Sequence, residues 1–281
     1  MSSTYFEFTN KIGKIVRCDI ESGNDDNLPL LIFAHGFKGF RNWGFIPYVC
    51  SKFAEAGSIC VRLDFSMNGI IDDVNQKYDD EVFRKNTVSR EVSDLSELIE
   101  KFISNQLGIE NFHRRWNGDV FLVGHSLGAA VSVLTAKKFQ RITKISLWAS
   151  VSQLNRNTDR QKEIWKQNGS IEILINTTGQ KLHLDYTYIE DKESSFENNA
   201  IINELKKLNY PVQIIHPKND MTVNIKEAEE LKSTASDIRK RELIVIEKSG
   251  HTFNSRHPFS GTNDALESAI KHTINFFDLL K

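Results

Sequence analysis

Residues 119–136, DVFLVGHSLGAAVSVLTA, decide how the rest of the chain is read. Asp119 to Val123 is a short apolar run of the kind that forms a strand covered on both faces. Beyond Gly124-His125-Ser126-Leu127-Gly128, the residues Ala129, Ala130, Val131, Val133, Leu134 and Ala136 suit a buried helix. Ser126 is therefore expected at a strand-to-helix turn. The pattern G-x-S-x-G carries little by itself, since average glycine usage of about 7% places it by chance in about one chain in ten of this length. The flanking strand and helix supply the information.

The same alternation runs outward in both directions. Tyr5 to Thr9 and Lys14 to Ile20 read as two short strands forming an antiparallel edge. Leu30 to Ala34 is a buried run ending at His35-Gly36, followed by a helix from about Trp43 to Ala56, a strand Ile59 to Phe65, and a helix within Thr87 to Leu107. After Ser126 come strand Lys144 to Ala149, an irregular stretch to about Glu197, helix Asn199 to Leu208 and strand Pro211 to Ile215. Helix Asn224 to Ser233, strand Glu242 to Glu247 and helix Asn263 to Leu280 complete the order. Strands alternating with helices imply an α/β fold: a mostly parallel sheet of about eight strands with helices on both faces. With no repeat or low-complexity linker, residues 1–281 read as one domain.

Composition narrows the class. Apolar residues make up 40%, charged residues 26%, and the formal net charge is −1, which fits a globular protein and gives no sign of a nucleic-acid partner. The basic cluster His113-Arg114-Arg115-Trp116 is expected to be a solvated loop with no partner. Cys18, Cys50 and Cys60 lack C-x-x-C spacing and read as buried reduced thiols. The first twenty residues have no basic region leading into an apolar run, and nowhere do about 18 apolar residues follow one another. The expectation is a soluble, cytoplasmic protein with no membrane partner; oligomeric state is open.

A serine hydroxyl becomes a nucleophile only with a base in reach, a group orienting that base, and donors for the oxyanion that forms. A sharp turn at a strand end pushes Ser126 out above the sheet, and Gly124 and Gly128 let helix and strands close in without Cβ clashes. The Leu127 N–H, at the start of the helix, is one expected oxyanion donor. The second is the Phe37 N–H, in the turn "AHGF" (Ala34 to Phe37) that ends an earlier strand.

Taken together, strand-"HGF", strand-"GHSLG"-helix, strand-"HPKND..V" and strand-"GHTF" resemble an α/β-hydrolase-fold serine hydrolase over about residues 14 to 281. The look is nearest to short-cap esterases of the hydroxycinnamoyl-esterase and dienelactone-hydrolase kind, with serine aminopeptidases next. The resemblance implies a triad in the order serine, acid, histidine. Asp220 follows the run Val212 to Ile215, and His251 follows the strand Leu243 to Ile246. Asp185, Asp191 and Asp64 are weaker candidates for the acid, because the usual "HG" of the family is His216-Pro217 here. "LDFSMNGI" (Leu63 to Ile70) also departs from the pattern. His35 is expected to shape the oxyanion loop, and His125 to neighbour the pocket. His183 and Asp185 alternate on one strand, which reads as surface rather than metal-binding.

The resemblance further implies a cap formed by residues 151–197, in which Ile171 to Asn176 and Lys181 to Glu190 flank a hairpin turn. Trp43, Trp148 and Phe253, with His125, are expected to bind substrate; Phe37 and Trp165 are further candidate lining. The implied activity is cleavage of a small ester or acyl substrate through an acyl-enzyme, with no cofactor and no metal. A peptidase reading would enlist Glu190, Asp191, Glu193 and Glu197 to hold a free amine. A noncatalytic binding protein on the same scaffold is the third reading.

Overall fold

The computed structural model describes residues 3–234 and 241–279; the expected end of the last helix at Leu280 lies outside them. In chain order the elements are β1 (Thr4–Thr9), β2 (Ile15–Ser22), β3 (Leu28–Ala34), α1 (Ile46–Glu55), β4 (Ile59–Asp64), β5 (Ile70–Asp72) and β6 (Lys77–Tyr78). There follow α2 (Asp80–Phe83), α3 (Val88–Ile103), α4 (Phe112–Arg115), β7 (Trp116–His125), α5 (Leu127–Ala136) and β8 (Ile142–Trp148). The last part holds α6 (Asp159–Asn168), β9 (Ser170–Leu174), β10 (Lys181–Asp185), α7 (Thr187–Ser195), α8 (Ala200–Lys207), β11 (Val212–Pro217), α9 (Ile225–Ser233), β12 (Arg241–Ile246) and α10 (Asp264–Phe277).

Eight strands form one sheet in the order β1-β2-β4-β3-β7-β8-β11-β12. β1 and β2 pair antiparallel, as does β2 with β4, while the remaining pairs are parallel. Side chains along a strand alternate between faces, and the central strands show it. Leu30 and Ile32 of β3, with Val120 and Leu122 of β7, join the core under α3, α5, α8 and α9. Leu31 and Phe33, with Phe121 and Val123, join the opposite core under α1 and α10. Continuous apolar runs were needed because both faces are covered.

Residues 151–197 are more ordered than their sequence suggests. β9 and β10 form the antiparallel hairpin, Leu174 opposite Lys181, but β10 stops at Asp185 and α7 begins within the span expected to be strand. The helix α6 escapes periodicity because it buries only Trp165. Its signals were local instead: the Thr158/Gln161 capping box and Gly169 at the C-terminal end. The hairpin and α7 enclose a third apolar cluster with Phe40, Tyr78, Phe83 and Trp165. On α7, Asp191 accepts the Ser89 N–H at 3.0 Å, an anion at the start of α3. Beside it Glu91 is wholly buried; Asn86 donates to one carboxyl oxygen at 2.7 Å and the other has no partner. Burial, with Asp94 and Asp191 nearby, raises the Glu91 pKa to about 8.

The basic cluster is not a free loop. Arg115 donates to Ser22 Oγ at 3.0 Å and to the carbonyls of Gly23 and Asp25, and Arg114 pairs with Asp26 at 2.7 Å. Its occupation is to fasten the loop between β2 and β3. All three cysteines are buried and free. Among the described residues no helix is long and apolar enough to cross a membrane.

Candidate active site

Ser126 closes β7 with φ +55° and ψ −118°, a conformation that a non-glycine residue holds only when its surroundings fix it. The surroundings are close. Its N–H donates to the Trp148 carbonyl at 2.8 Å. A Cβ on Gly124 would lie 2.4 Å from Ala129 Cα, and one on Gly128 would lie 2.3 Å from the Ala34 and His35 carbonyl oxygens. The two glycines are thus required by backbone approach, α5 being pressed against the ends of β7 and β3.

The turn after β3 lies against this elbow: a Cβ on Gly36 would come within 3.0 Å of Ser126 Cβ. The turn is closed by Gly39 N–H donating to the Gly36 carbonyl at 2.9 Å. His35 braces it from below, with Nδ1 donating to the Gly36 carbonyl (2.9 Å) and Nε2 accepting the Phe65 N–H (3.3 Å). Burial lowers the His35 pKa to about 4, so the ring is neutral and able to do both. The backbone N–H groups of Phe37 and Leu127 make no hydrogen bonds among the described residues. Two donors are therefore left unspent beside the serine.

His251 Nδ1 and Asp220 Oδ2 are 2.7 Å apart. The other carboxylate oxygen accepts the N–H groups of Thr222 (2.8 Å) and Val223 (2.9 Å). Burial would raise the Asp220 pKa, but hydrogen bonds from His251 and these amides outweigh it and hold the group below the ordinary aspartate value. The turns carrying acid and histidine are joined by Asn219 N–H donating to the Ser249 carbonyl at 2.9 Å. His216 donates from Nε2 to the Val223 carbonyl at 2.9 Å and holds the Asp220 turn from within. Pro217 is the last residue of β11, so the departure from "HG" does not divert the chain away from His251. The other acids are engaged elsewhere: Asp64 with Arg41, Asp185 with Arg84, Asp191 with Ser89.

Ser126 and His251 open onto one cavity of about 200 Å³. The Ser126 hydroxyl and His251 Nε2 have no hydrogen-bond partners among the described residues. His125 lines this cavity too, but its Nε2 donates to the His251 carbonyl at 2.9 Å, tying the elbow to the histidine loop. Burial, then the nearby His251, lowers its pKa to about 3 and keeps the ring neutral. Trp43 lines the cavity, stacked on His257.

Trp148 and Phe253, expected to bind substrate, do not line it. Both are fully buried and pack against each other and Phe45 in the core beneath α1 and α10. The Trp148 Nε1 is satisfied there by Ser146 Oγ (3.1 Å) and Thr273 Oγ1 (3.0 Å). The alternation of β8 points Trp148 to that face, which no motif reveals. Trp165 is likewise enclosed, donating to the Leu184 carbonyl under the hairpin. Phe37 does line the cavity and leans on Phe83 and Tyr188.

Sequence reasoning expected the cap hairpin but named none of the residues of the opposite wall. The small hairpin β5–β6 contributes Gln76 and Tyr78, and the turn of the β9–β10 hairpin contributes Ile175 to Thr177. A side-chain clasp joins the two: Gln180 accepts the Tyr78 N–H at 3.0 Å and donates to the Tyr78 carbonyl at 2.8 Å. The turn at 177–180 carried a hairpin signal, but no motif marked Gln76, Tyr78, Ile175 or Asn176. Among the described residues no carboxylate lines the cavity. Of the acids suggested for holding an amine, Asp191 is spent on Ser89 and Glu193 on Lys162. No group of three or more His, Cys, Asp or Glu side chains suited to a metal occurs among the described residues, and His183 pairs with Asp80 at 2.8 Å.

No protein-family model matches the chain, and no curated protein matches it. Solved structures do. The α/β hydrolase GrgF from Penicillium sp. sh18 is 17% identical with a TM-score of 0.72, covering 99% of this chain and 98% of that one. Est1E from Butyrivibrio proteoclasticus, solved with ferulic acid bound, is 16% identical with a TM-score of 0.69 over 98% and 99% of the two chains. Alpha/beta hydrolase domain-containing protein 10 from mouse is 14% identical with a TM-score of 0.69 over 98% of each. Sheet order, elbow and end-to-end likeness to these esterases and hydrolases agree: the chain has the α/β-hydrolase fold.

Proposed function

We propose that this chain is a serine hydrolase that cleaves a small carboxylic ester through an acyl-enzyme. The observation that carries the reading is the Asp220–His251 hydrogen bond at 2.7 Å, with His251 opening onto the same cavity as the strained Ser126. An Nδ1–H given to Asp220 leaves His251 Nε2 as the base for the Ser126 proton. The hydroxyl attacks the ester carbonyl, and the oxyanion is held by the free N–H groups of Phe37 and Leu127. His251 then hands the proton to the departing alcohol, and water repeats the sequence on the acyl-enzyme. Residues 151–197 act as a cap whose hairpin turn closes the cavity from above.

The esterase reading is favoured over a peptidase because no amine-holding carboxylate lies in the cavity wall among the described residues. Est1E, with ferulic acid bound, supports an ester substrate only by analogy of fold. The test is a fluorophosphonate probe with peptide mapping, followed by p-nitrophenyl esters and aminoacyl anilides. Labelling at Ser126 and turnover of the esters are expected. Folded protein that resists the probe, or is labelled elsewhere, refutes the mechanism and leaves the noncatalytic reading.

A further inference from the structure

Arg41 and Lys38 stand three residues apart in one loop and meet opposite surroundings. Arg41 touches three carboxylates: Asp19 at 2.7 Å, Asp64, and Asp73 at 3.5 Å. Arg62 nearby is paired with Glu21 and, at 3.7 Å, with Asp19. Lys38 has no such partner. Its side chain's only hydrogen bond among the described residues runs from Nζ to the Leu174 carbonyl of the cap hairpin, at 3.5 Å, the long limit of such a contact. A partly buried charge without a counter-charge costs free energy. Consistently, burial pulls the Lys38 pKa below the ordinary lysine value.

The backbone adds an independent sign. Lys38 has φ +62° and is the third residue of the turn closed by Gly39 on Gly36, a place that favours glycine. Tyr78 clamps it there, its hydroxyl donating to the Lys38 carbonyl at 2.8 Å. A side chain kept at a glycine position, without a counter-charge among the described residues, on a residue that lines the cavity, needs a reason outside the fold. The wall around it is apolar or neutral, with Trp43, Ile46, Ile175, Asn176 and Thr177 among its members. At about 200 Å³ the cavity is below the roughly 300–1,000 Å³ of sites for drug-sized ligands, so it suits a short chain.

We infer that the ester substrate itself carries a carboxylate, which pairs with the Lys38 ammonium while the scissile carbonyl lies against Ser126. The inference rests on the serine-hydrolase reading above and names its substrate class. Lys38 follows Phe37, whose N–H is the proposed oxyanion donor, so one turn of backbone fixes both ends of such a substrate. The pair supplies the missing counter-charge and distinguishes an acidic acyl or leaving group from a neutral one of equal length.

The test uses the full chain with p-nitrophenyl hemiglutarate, which ends in a carboxylate, and p-nitrophenyl pentanoate, which does not. A charge-assisted hydrogen bond predicts a preference in kcat/KM of about ten- to hundredfold for the hemiglutarate. Lys38→Gly removes the charge at a position that glycine favours, so the turn is kept; the preference should collapse toward one. Lys38→Arg should retain most of it. Equal turnover of both esters by the wild type, or a preference that survives in Lys38→Gly, overturns the inference while leaving the hydrolase intact. A Lys38→Gly variant that slows both esters by the same factor also overturns it, by making the lysine a feature of loop shape. If Ser126→Ala hydrolyses both esters as fast as the wild type, the underlying hydrolase reading falls instead.

Discussion

Replacing Asp220 with asparagine tests the arrangement at the point where a single atom decides the outcome. One carboxylate oxygen accepts two amides, Thr222 at 2.8 Å and Val223 at 2.9 Å, and the other faces His251 Nδ1 at 2.7 Å. An asparagine must keep its oxygen toward the two amides, since two N–H groups would otherwise meet an NH₂. Its NH₂ then faces His251. The imidazole can satisfy it only by presenting an unprotonated Nδ1, which moves the ring proton to Nε2, where the Ser126 proton has to go. His216 offers no relief: its Nε2 is 3.8 Å from Asp220 and already donates to the Val223 carbonyl. A histidine in the wrong tautomer lowers kcat by about 10⁴-fold, about 5 kcal/mol of barrier. The assay is steady-state hydrolysis of a p-nitrophenyl ester, with the rate of fluorophosphonate labelling and a thermal melt as companions. Because the substitution is isosteric, the melt should move little. A kcat within about tenfold of wild type would contradict the role given to Asp220, and so would an equal loss from Asp185→Asn or Asp191→Asn.

Three further outcomes follow from packing and burial. Glu91 binds its proton more tightly folded than unfolded, so its contribution to stability is full below about pH 4.5 and is lost as the pH rises toward about 8. Glu91→Gln should remove that dependence and stabilise the chain at pH 7 by roughly 3 kcal/mol, read as denaturant midpoints across pH; an unchanged pH profile refutes the buried neutral acid. Gly128→Ala would drive a methyl to 2.3 Å from two backbone oxygens, and a loss at or above roughly 1–3 kcal/mol is expected. A melting temperature equal to wild type would show that α5 is not held so close. Trp148→Ala should cost roughly 3–5 kcal/mol of stability and leave the KM for a short ester unchanged. A raised KM in a variant that melts like the wild type would put Trp148 back in the pocket.

Much of this architecture was written into short runs of sequence. Leu30 to Ala34 and Val120 to Val123 announce central strands because both faces of the sheet are covered, leaving no place for a polar residue in either run. Gly124 and Gly128 mark a helix pressed onto strand ends, since no side chain fits where their Cβ atoms would be. The contact between Asp220 and His251 was foreshadowed by their order behind later strands. By contrast α6 was hidden because it buries one residue, and β5–β6 because each strand has three residues or fewer. Trp148 and Phe253 were misplaced for another reason: an aromatic near a catalytic motif can face either side of a strand or turn, and the motif does not say which.

The sequence alone determined the alternation of strands and helices and the turn that holds Ser126, because these depend on local pattern and chain order. Tertiary structure decided which groups meet. It joined the Asp220 and His251 turns through Asn219 and Ser249, and committed His125 to the His251 carbonyl. It also brought two hairpins from distant parts of the chain over the cavity and, among the described residues, left Lys38 without an anion while surrounding Arg41 with three. Such contacts join residues tens to hundreds of positions apart, and the electrostatic state of a side chain is set by what folding places around it.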